Sequence, residues 1–241
     1  MADYDTTIFD EGLEKLGISL DQKQIEQFMQ YYEILVEWNK VMNLTGITDL
    51  QEVIVKHFLD SLAIVKVCDV NKVNTVIDVG TGAGFPGIPL KIAFPHLEVV
   101  LLDSLKKRIT FLDEVIQNLE LVDITTEHGR AEDFANNAAY REQFDLSVSR
   151  AVANLSTLGE YCLPFVRLDG EFISYKAGKI TEEVEQAQKG IGILGGEVIS
   201  SEVFNLLGTD MERSFVVIKK KSKTPKKYPR KAGIPTKEPL S

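Results

Sequence analysis

Residues 76–87 read VIDVGTGAGFPG, an apolar run that ends in an acid and is followed by four glycines within eight positions. Glycine reaches backbone angles closed to other residues and lets the main chain approach a ligand closely. Two cofactor patterns overlap in this stretch. Gly82, Gly84 and Gly87 match the Gly-x-Gly-x-x-Gly spacing of dinucleotide-binding turns, whose N–H groups meet a pyrophosphate. Gly80, Gly82 and Gly84, preceded by Asp78, match the loop of enzymes that use S-adenosylmethionine, with Thr81 and Phe85 in the same loop. Asp78 separates the two patterns. A carboxylate aimed into a pyrophosphate pocket repels the ligand, whereas beside an amino-acid moiety or an ordered water it is useful. Asp103, within LLDS, lies 19 residues past Gly84, where an acid can bind the two ribose hydroxyls of either cofactor.

Other residues add chemistry around that loop. HGRAEDF, residues 128–134, puts Ala131 and Glu132 where backbone groups can read an adenine edge; Glu132 also suits the first turn of a helix, and Arg130 reads as a surface charge. Arg150 ends the run FDLSVSR, and its fork suits a cofactor carboxylate or a phosphate, with a structural ion pair as the alternative. His57, Asp60 and Ser61 share one helical turn, so their side chains cannot converge as a catalytic triad and are read as capping or interdomain hydrogen bonds. Methylation of an exocyclic amine calls for an Asn/Asp-Pro-Pro-aromatic turn where this chain has SRAVA, 149–153. Methylation of a pyrimidine carbon needs a cysteine nucleophile. Cys162 falls within a helix and Cys68 before the sheet, and both read as small core residues. Guanine N7 has an in-plane lone pair and no proton to lose. It needs alignment rather than a base, and alignment alone lowers barriers by several kcal/mol.

The elements that must carry these residues follow from periodicity. Ser19-x-x-Gln22 reads as a capping box ahead of a helix with Ile25, Phe28, Tyr32 and Leu35 on one face. Thr48-x-x-Gln51 opens a second helix, with Ile54, Phe58, Leu62 and Val65 inward. Trp38, in the polar joint EWNKVMNLTGI between them, is expected to anchor this helical cap onto the following domain. From about Asn74, seven strand patterns alternate with helices: TVIDV, LEVVLLD, DITTEHG, FDLSVS, GEFISYK, EVISSEVF and RSFVVIKK. This predicts an α/β fold with a mostly parallel seven-stranded sheet and helices on both faces. The expected organisation is a helical cap over 1–70, a cofactor-binding domain over 71–221 and a basic, proline-containing tail over 222–241. TPKKYPRKAGIPTKEPL holds four prolines and predicts a flexible or extended segment.

Charge is divided unevenly. The last 23 residues carry +8, so the preceding 218 carry −17 of the total −9. A basic tail on an acidic body suits a polyanion. Lys226, Lys227, Arg230 and Lys231 are candidate phosphate contacts, and Tyr228 can stack on a base. Lys106, Lys107 and Arg108 form a second candidate patch beside the loop, and Lys176 is a further RNA contact or a solvated strand end. No apolar stretch reaches 18 residues, the start lacks a secretory pattern, and the two cysteines lack metal-ligand spacing. A cytoplasmic protein without a structural metal is expected.

In chain order, WNKVMNLTGI, KHFLDSL, VIDVGTGAGFPGIPL, LLDSLKKRITFL, GRAEDF, SRAVA and RKAGIPTKEPL resemble the RsmG (GidB) family of bacterial methyltransferases, which modify a guanine N7 of 16S ribosomal RNA. The resemblance covers nearly the whole chain. It implies a class I, Rossmann-like methyltransferase fold with a helical N-terminal extension. It implies cofactor contacts from Gly80, Phe85, Ala131, Glu132 and Arg150, with Asp103 and Ser104 at the ribose end. The expected partner is 16S rRNA or a small-subunit particle, met by a monomer. Two other readings are a small NAD-binding oxidoreductase and an inactive RNA-binding module.

Overall fold

The computed structural model describes residues 4–178 and 180–240. Two helices open the chain, α1 (Thr7–Leu16) and α2 (Gln22–Met42). The cap of α2 lies two residues beyond the expected Ser19. Asp21 accepts from the Gln24 amide, and the Gln24 side chain returns the bond to the Asp21 amide. A carboxylate at the helix start also complements the dipole, which serine cannot do. The next cap is likewise Asp49 rather than Thr48, accepting from the Glu52 amide. It starts one continuous helical stretch: α3 (Leu50–Val53), a π-helical turn (Ile54–Leu59), α4 (Asp60–Leu62) and a 3-10 turn (Ala63–Lys66). Wide π turns of this kind cluster at functional sites, and this one carries His57.

The sheet follows: β1 (Thr75–Val79), α5 (Gly87–Ala93), β2 (Glu98–Asp103), α6 (Lys106–Asn118), β3 (Ile124–His128), α7 (Ala131–Phe134), β4 (Phe144–Arg150), α8 (Leu155–Cys162), β5 (Val166–Ala177), α9 (Thr181–Ile193), β6 (Gly196–Asn205) and β7 (Glu212–Lys220). A last short helix, α10 (Ile234–Lys237), lies in the tail. Strand order is β3-β2-β1-β4-β5-β7-β6, with the first five parallel and β7 antiparallel to both of its neighbours. This is the mixed seven-stranded, Rossmann-like methyltransferase arrangement. Order reverses between β1 and β4, so a crevice opens at their carboxyl ends.

The strands alternate between two cores, as the two-residue period of a pleat requires. Val76 and Val148 face a core shared with α1, α2, α5 and α6, while Ile77 and Val79 face one shared with α7, α8 and α9. Trp38 packs edge-on against Phe111 of α6 at 5.8 Å, so the helical cap is joined to the sheet domain through aromatic contact. Three glutamines of α2 do the same through polar groups. Gln24 donates to the carbonyls of Ile92 and Ala93 at the end of α5, and Gln27 and Gln30 donate to Leu119 and Asn118 at the end of α6. Helix ends leave carbonyls without intrahelical partners, and one face of α2 satisfies two such ends.

Residues 222–240, expected to be flexible or extended, pack against the body. Thr224, Tyr228, Pro229 and Pro235 are buried. Arg141 donates to the carbonyls of Thr224 and Tyr228, and Thr157 donates its hydroxyl to the Pro235 carbonyl.

Candidate active site

The glycine loop is stapled by Asp78. Its Oδ2 accepts from the Thr81 hydroxyl at 2.7 Å and from the Gly87 amide at 2.8 Å, which ties both ends of the loop to β1. Gly80, Gly82 and Gly84 all take positive φ, at 74°, 64° and 93°. The other carboxylate oxygen, Oδ1, is buried with no partner among the described residues. Such an orphaned acceptor is costly unless a ligand or water meets it. Burial pushes the Asp78 carboxyl up to about 6 against the Thr81 and Gly87 hydrogen bonds, which pull it down.

A cavity of about 300 Å³ opens beside this loop. Gly80, Asp103, Ser104, Ala131 and Glu132 line it, so five of the expected cofactor residues meet around one space. Asp103 is 2% exposed; its Oδ1 accepts from the Leu105 amide and its Oδ2 from the Gly82 amide and from Arg108. Each carboxylate oxygen holds two lone pairs, so Oδ1 keeps capacity for a hydroxyl. A Cβ on Gly82 would meet nothing nearer than the Gly80 carbonyl oxygen at 4.0 Å, which marks open space over the loop. These features fit a nucleoside cofactor carrying a ribose and an amino-acid end.

The remaining loop residues face elsewhere. The N–H groups of Gly80 and Thr81 turn back to the Leu102 carbonyl. Gly84 and Phe85 lie against the helical cap: the buried Tyr31 hydroxyl donates to the Ala83 carbonyl, and Phe85 stacks on His57 at 4.6 Å. Arg150, favoured from sequence for a cofactor carboxylate or a phosphate, instead makes an ion pair. Its guanidinium binds Asp60 at 2.8 Å, donates to the Lys56 carbonyl and the His57 ring, and lies 5.0 Å over Phe85. The reason is length: a guanidinium at the end of β4 reaches a buried carboxylate on the cap, and a buried Asp60 without it would be strongly destabilising.

Several expected RNA contacts likewise have partners within the chain. Lys176 is bound to Glu183 at 2.6 Å and to the Ala153 carbonyl, so it is not a solvated strand end. Arg230 grips Glu160, which is fully buried, through Nε and a terminal nitrogen. Tyr228 is 7% exposed in the core beneath α8 and α9 and cannot stack on a base. Arg108 is half-buried on Asp103. Lys106, Lys107, Lys226, Lys227 and Lys231 are exposed.

Sequence reasoning missed eight residues on the cavity wall, among them Val79, Leu102, Gly129 and Arg130, the last of which it read as a surface charge. Val152, Tyr161, Gly233 and Thr236 line it from the turn after β4, from α8 and from the tail. Glu132 accepts from the Gly233 amide at 3.1 Å, and the Tyr161 and Thr236 hydroxyls meet at 2.9 Å. The signal available was the block RKAGIPTKEPL, whose glycine and prolines suit a fixed turn, but its lysines suggested a solvated arm.

Titratable groups with reactive potential are few. Burial raises the Cys68 thiol to about 12 and the Cys162 thiol further, so neither is a ready nucleophile. Burial, then the charge of Arg150, lowers His57 to about 4. A histidine is ordinarily near 6.5. Its folded pKa is therefore depressed, so its contribution to stability is complete above about pH 6.5 and is lost as pH falls towards 4. Asp78 acts in the opposite sense: its contribution is present below 3.8 and lost as pH rises through about 6. Thermal unfolding followed from pH 7 to 4 should show His57→Gln losing less stability on acidification than the wild type. Parallel curves would mean that His57 protonates without cost in the folded chain. No cluster of metal-ligating side chains occurs among the described residues.

Comparison with known proteins bears on this geometry. A family model described as "rRNA small subunit methyltransferase G" (GidB) matches residues 24–211. A ribosomal RNA small subunit methyltransferase G of Lachnoclostridium phytofermentans is 54% identical over 98% of this chain and 98% of its own. Its namesake from Acetivibrio thermocellus is 53% identical over 96% of this chain and 95% of its own. Among solved structures, a SAM-dependent O-methyltransferase from Thermotoga maritima superposes with a TM-score of 0.52 at 16% identity, covering 79% of this chain and 73% of that one. TrmN from Thermus thermophilus gives 0.52 at 15% identity over 67% and 48%. At such identities these two structures speak for the fold.

Proposed function

This chain belongs to the GidB family of rRNA small subunit methyltransferase G, and from that premise we propose that it transfers a methyl group from S-adenosylmethionine to N7 of a guanine in 16S rRNA. One observation carries the chemical part of the reading. The loop and carboxylates suited to the donor stand beside a turn, SRAVA, that brings neither an amine-methylating motif nor a proton acceptor. When bound, adenosylmethionine supplies a methyl on a cationic sulfur, which an in-plane ring nitrogen accepts while the sulfur leaves as a neutral thioether. The chain's own task is then to bind, orient and exclude water. Gly80 and Gly82 would lie under the donor, Asp78 Oδ1 would accept from its amino group or a bridging water, Asp103 and Ser104 would hold the ribose, and Ala131 and Glu132 would flank the adenine.

The basic patch at α6 supports an RNA substrate. Lys106 and Lys107 occupy the first turn, where the helix dipole disfavours cations by a few tenths of a kcal/mol or more each. Residues that oppose a local rule point to a role outside folding. Contact with RNA backbone should be salt-sensitive, given an acidic body.

Labelled cofactor, purified chain and 16S rRNA, both naked and in small-subunit particles, test the reading by nucleoside analysis. Label in 7-methylguanosine supports it, and label in any other nucleoside overturns it. A second expectation concerns Asp78. Asn at this site still accepts from Thr81 and Gly87 but carries no buried charge. Asp78→Asn should keep or raise the melting temperature at pH 7 and weaken donor binding about tenfold, the scale of one charge-assisted hydrogen bond. Calorimetric titration giving wild-type affinity would restrict Asp78 to stapling the loop.

A further inference from the structure

Residues 222–240 have two faces. Thr224, Tyr228, Pro229 and Pro235 are buried against the body, while Lys223, Lys226, Lys227, Lys231 and Lys237 are exposed. Carboxylates of the body meet the inward side. Glu142 accepts from the Thr224 amide, Glu160 from the Arg230 amide and guanidinium, and Glu132 from the Gly233 amide. The one arginine of the segment is therefore turned inward, and an acidic body carries a ribbon of outward lysines.

Two of these lysines border the donor cavity. Gly233 and Thr236 line it; Lys231 stands two residues before the first and Lys237 directly after the second. Ser104 lines the same cavity from another segment, two residues before the exposed Lys106 and Lys107. Cations from two distant parts of the chain thus flank one opening. The tail wall itself is lightly held. Gly233 meets Glu132 at 3.1 Å, and Thr236 meets the Tyr161 hydroxyl at 2.9 Å. Helix α10 has four residues, and its bond from the Lys237 amide to the Gly233 carbonyl is 3.3 Å long. Among the described residues, no strand pairs this segment with the sheet. A segment with few backbone bonds opens at lower free energy than the core. Gly233, at φ 83° with open space where a Cβ would stand, can absorb the backbone rotation of such an opening.

We propose that residues 231–237 form a strap that couples the enzyme's two substrates. Its inner side closes on the bound donor. Its lysines, together with Lys106 and Lys107, take phosphates of RNA lying across the cavity mouth. The inference rests on the methyltransferase reading and adds a regulation of the same site: the donor is held weakly alone and firmly once RNA is docked. The physical cause is linkage. The donor touches the tail wall only when the strap is closed, and the RNA backbone meets both sets of lysines only in that state. Each ligand favours the same state, so each raises the other's affinity by one common factor. A lysine takes phosphate as a point charge and reads no base, so the strap governs retention and not the choice of guanine.

Equilibrium dialysis with labelled S-adenosylhomocysteine, the donor without its methyl, measures this coupling in the absence of turnover. At low ionic strength all the proteins can be saturated with 16S rRNA. Under those conditions the wild type should hold the probe about tenfold more tightly than it does without RNA. Lys231→Ala combined with Lys237→Ala should match the wild type without RNA and lose most of the gain with it. Lys231→Arg combined with Lys237→Arg should keep the gain. Hydrogen exchange at the Gly233 and Lys237 amides should slow when the probe binds. Three results would each overturn the strap: equal probe affinity with and without bound RNA in the wild type, a full gain in the alanine pair, or exchange at those amides that the probe leaves unchanged. A wild type that binds the probe yet transfers no methyl to RNA, naked or in small-subunit particles, overturns the broader reading instead.

Discussion

Gly82→Asp should give a folded protein that no longer holds the methyl donor. Gly82 has φ 64°, and aspartate is among the side chains that best tolerate that region, at a cost of about 1–2 kcal/mol. For a chain of this size each kcal/mol lowers the melting temperature by about 2–4 °C. No protein atom blocks the new side chain, since a Cβ there meets only open space over the loop. The carboxylate therefore occupies the volume the donor needs. It also stands among Asp78 and Asp103, whose Oδ2 already accepts from the Gly82 amide at 3.0 Å. Loss of donor affinity should exceed about 100-fold, or about 2.7 kcal/mol. Gly82→Asn should lose nearly as much, because occupied volume rather than charge does the damage. Calorimetry alongside thermal unfolding decides it: wild-type donor affinity in a folded Gly82→Asp would place the donor elsewhere.

Arg230→Ala should be the most destabilising change in the tail and should also loosen the donor cavity. Glu160 is fully buried in α8 and receives the Arg230 backbone amide at 2.6 Å and its guanidinium at 2.7–3.1 Å. Removing one partner of a buried pair leaves an uncompensated charge and costs about 3–5 kcal/mol. The melting temperature should fall by roughly 6–20 °C. Glu160→Leu combined with Arg230→Leu should be milder than Arg230→Leu alone, since no charge is stranded. Donor binding should weaken as well, because Gly233 and Thr236 of the same segment form part of the cavity wall. Lys226→Ala with Lys227→Ala should leave both quantities alone, as both lysines are exposed. A tail that melts away from the body without effect on donor affinity would show its wall to be dispensable.

The elements legible in the chain were those with a local cause. β1 and β2 were read to within one residue because hydrophobic period and flanking turn residues reside in contiguous segments. Their end-to-end order sufficed for an α/β sheet, and Gly80 of the glycine loop and Asp103 fall on the wall of the cavity beside β1. Helix caps were misread by one or two residues because Ser19 and Thr48 satisfy the same spacing rule as Asp21 and Asp49. Choosing among them depends on where the chain enters the helix.

Side chains that act over distance were not legible. Arg150, Lys176 and Arg230 have the composition of phosphate ligands, and each is held by a carboxylate 90, 7 or 70 residues away. A guanidinium is indifferent to whether its anion is Asp60 or a phosphate; only the folded chain sets which one lies within reach. The basic tail was the extreme case. Its lysines spoke for a solvated arm, while Tyr228, Pro235 and the Arg230–Glu160 pair bring it down onto α8 and α9. By itself, then, the sequence determined the succession of strands and helices and the chemistry of the first loop, because periodicity and glycine geometry are local properties. Tertiary structure alone decided which charges remain available to a substrate, and that the tail walls the donor cavity. Those outcomes depend on pairing and burial between segments far apart in the chain.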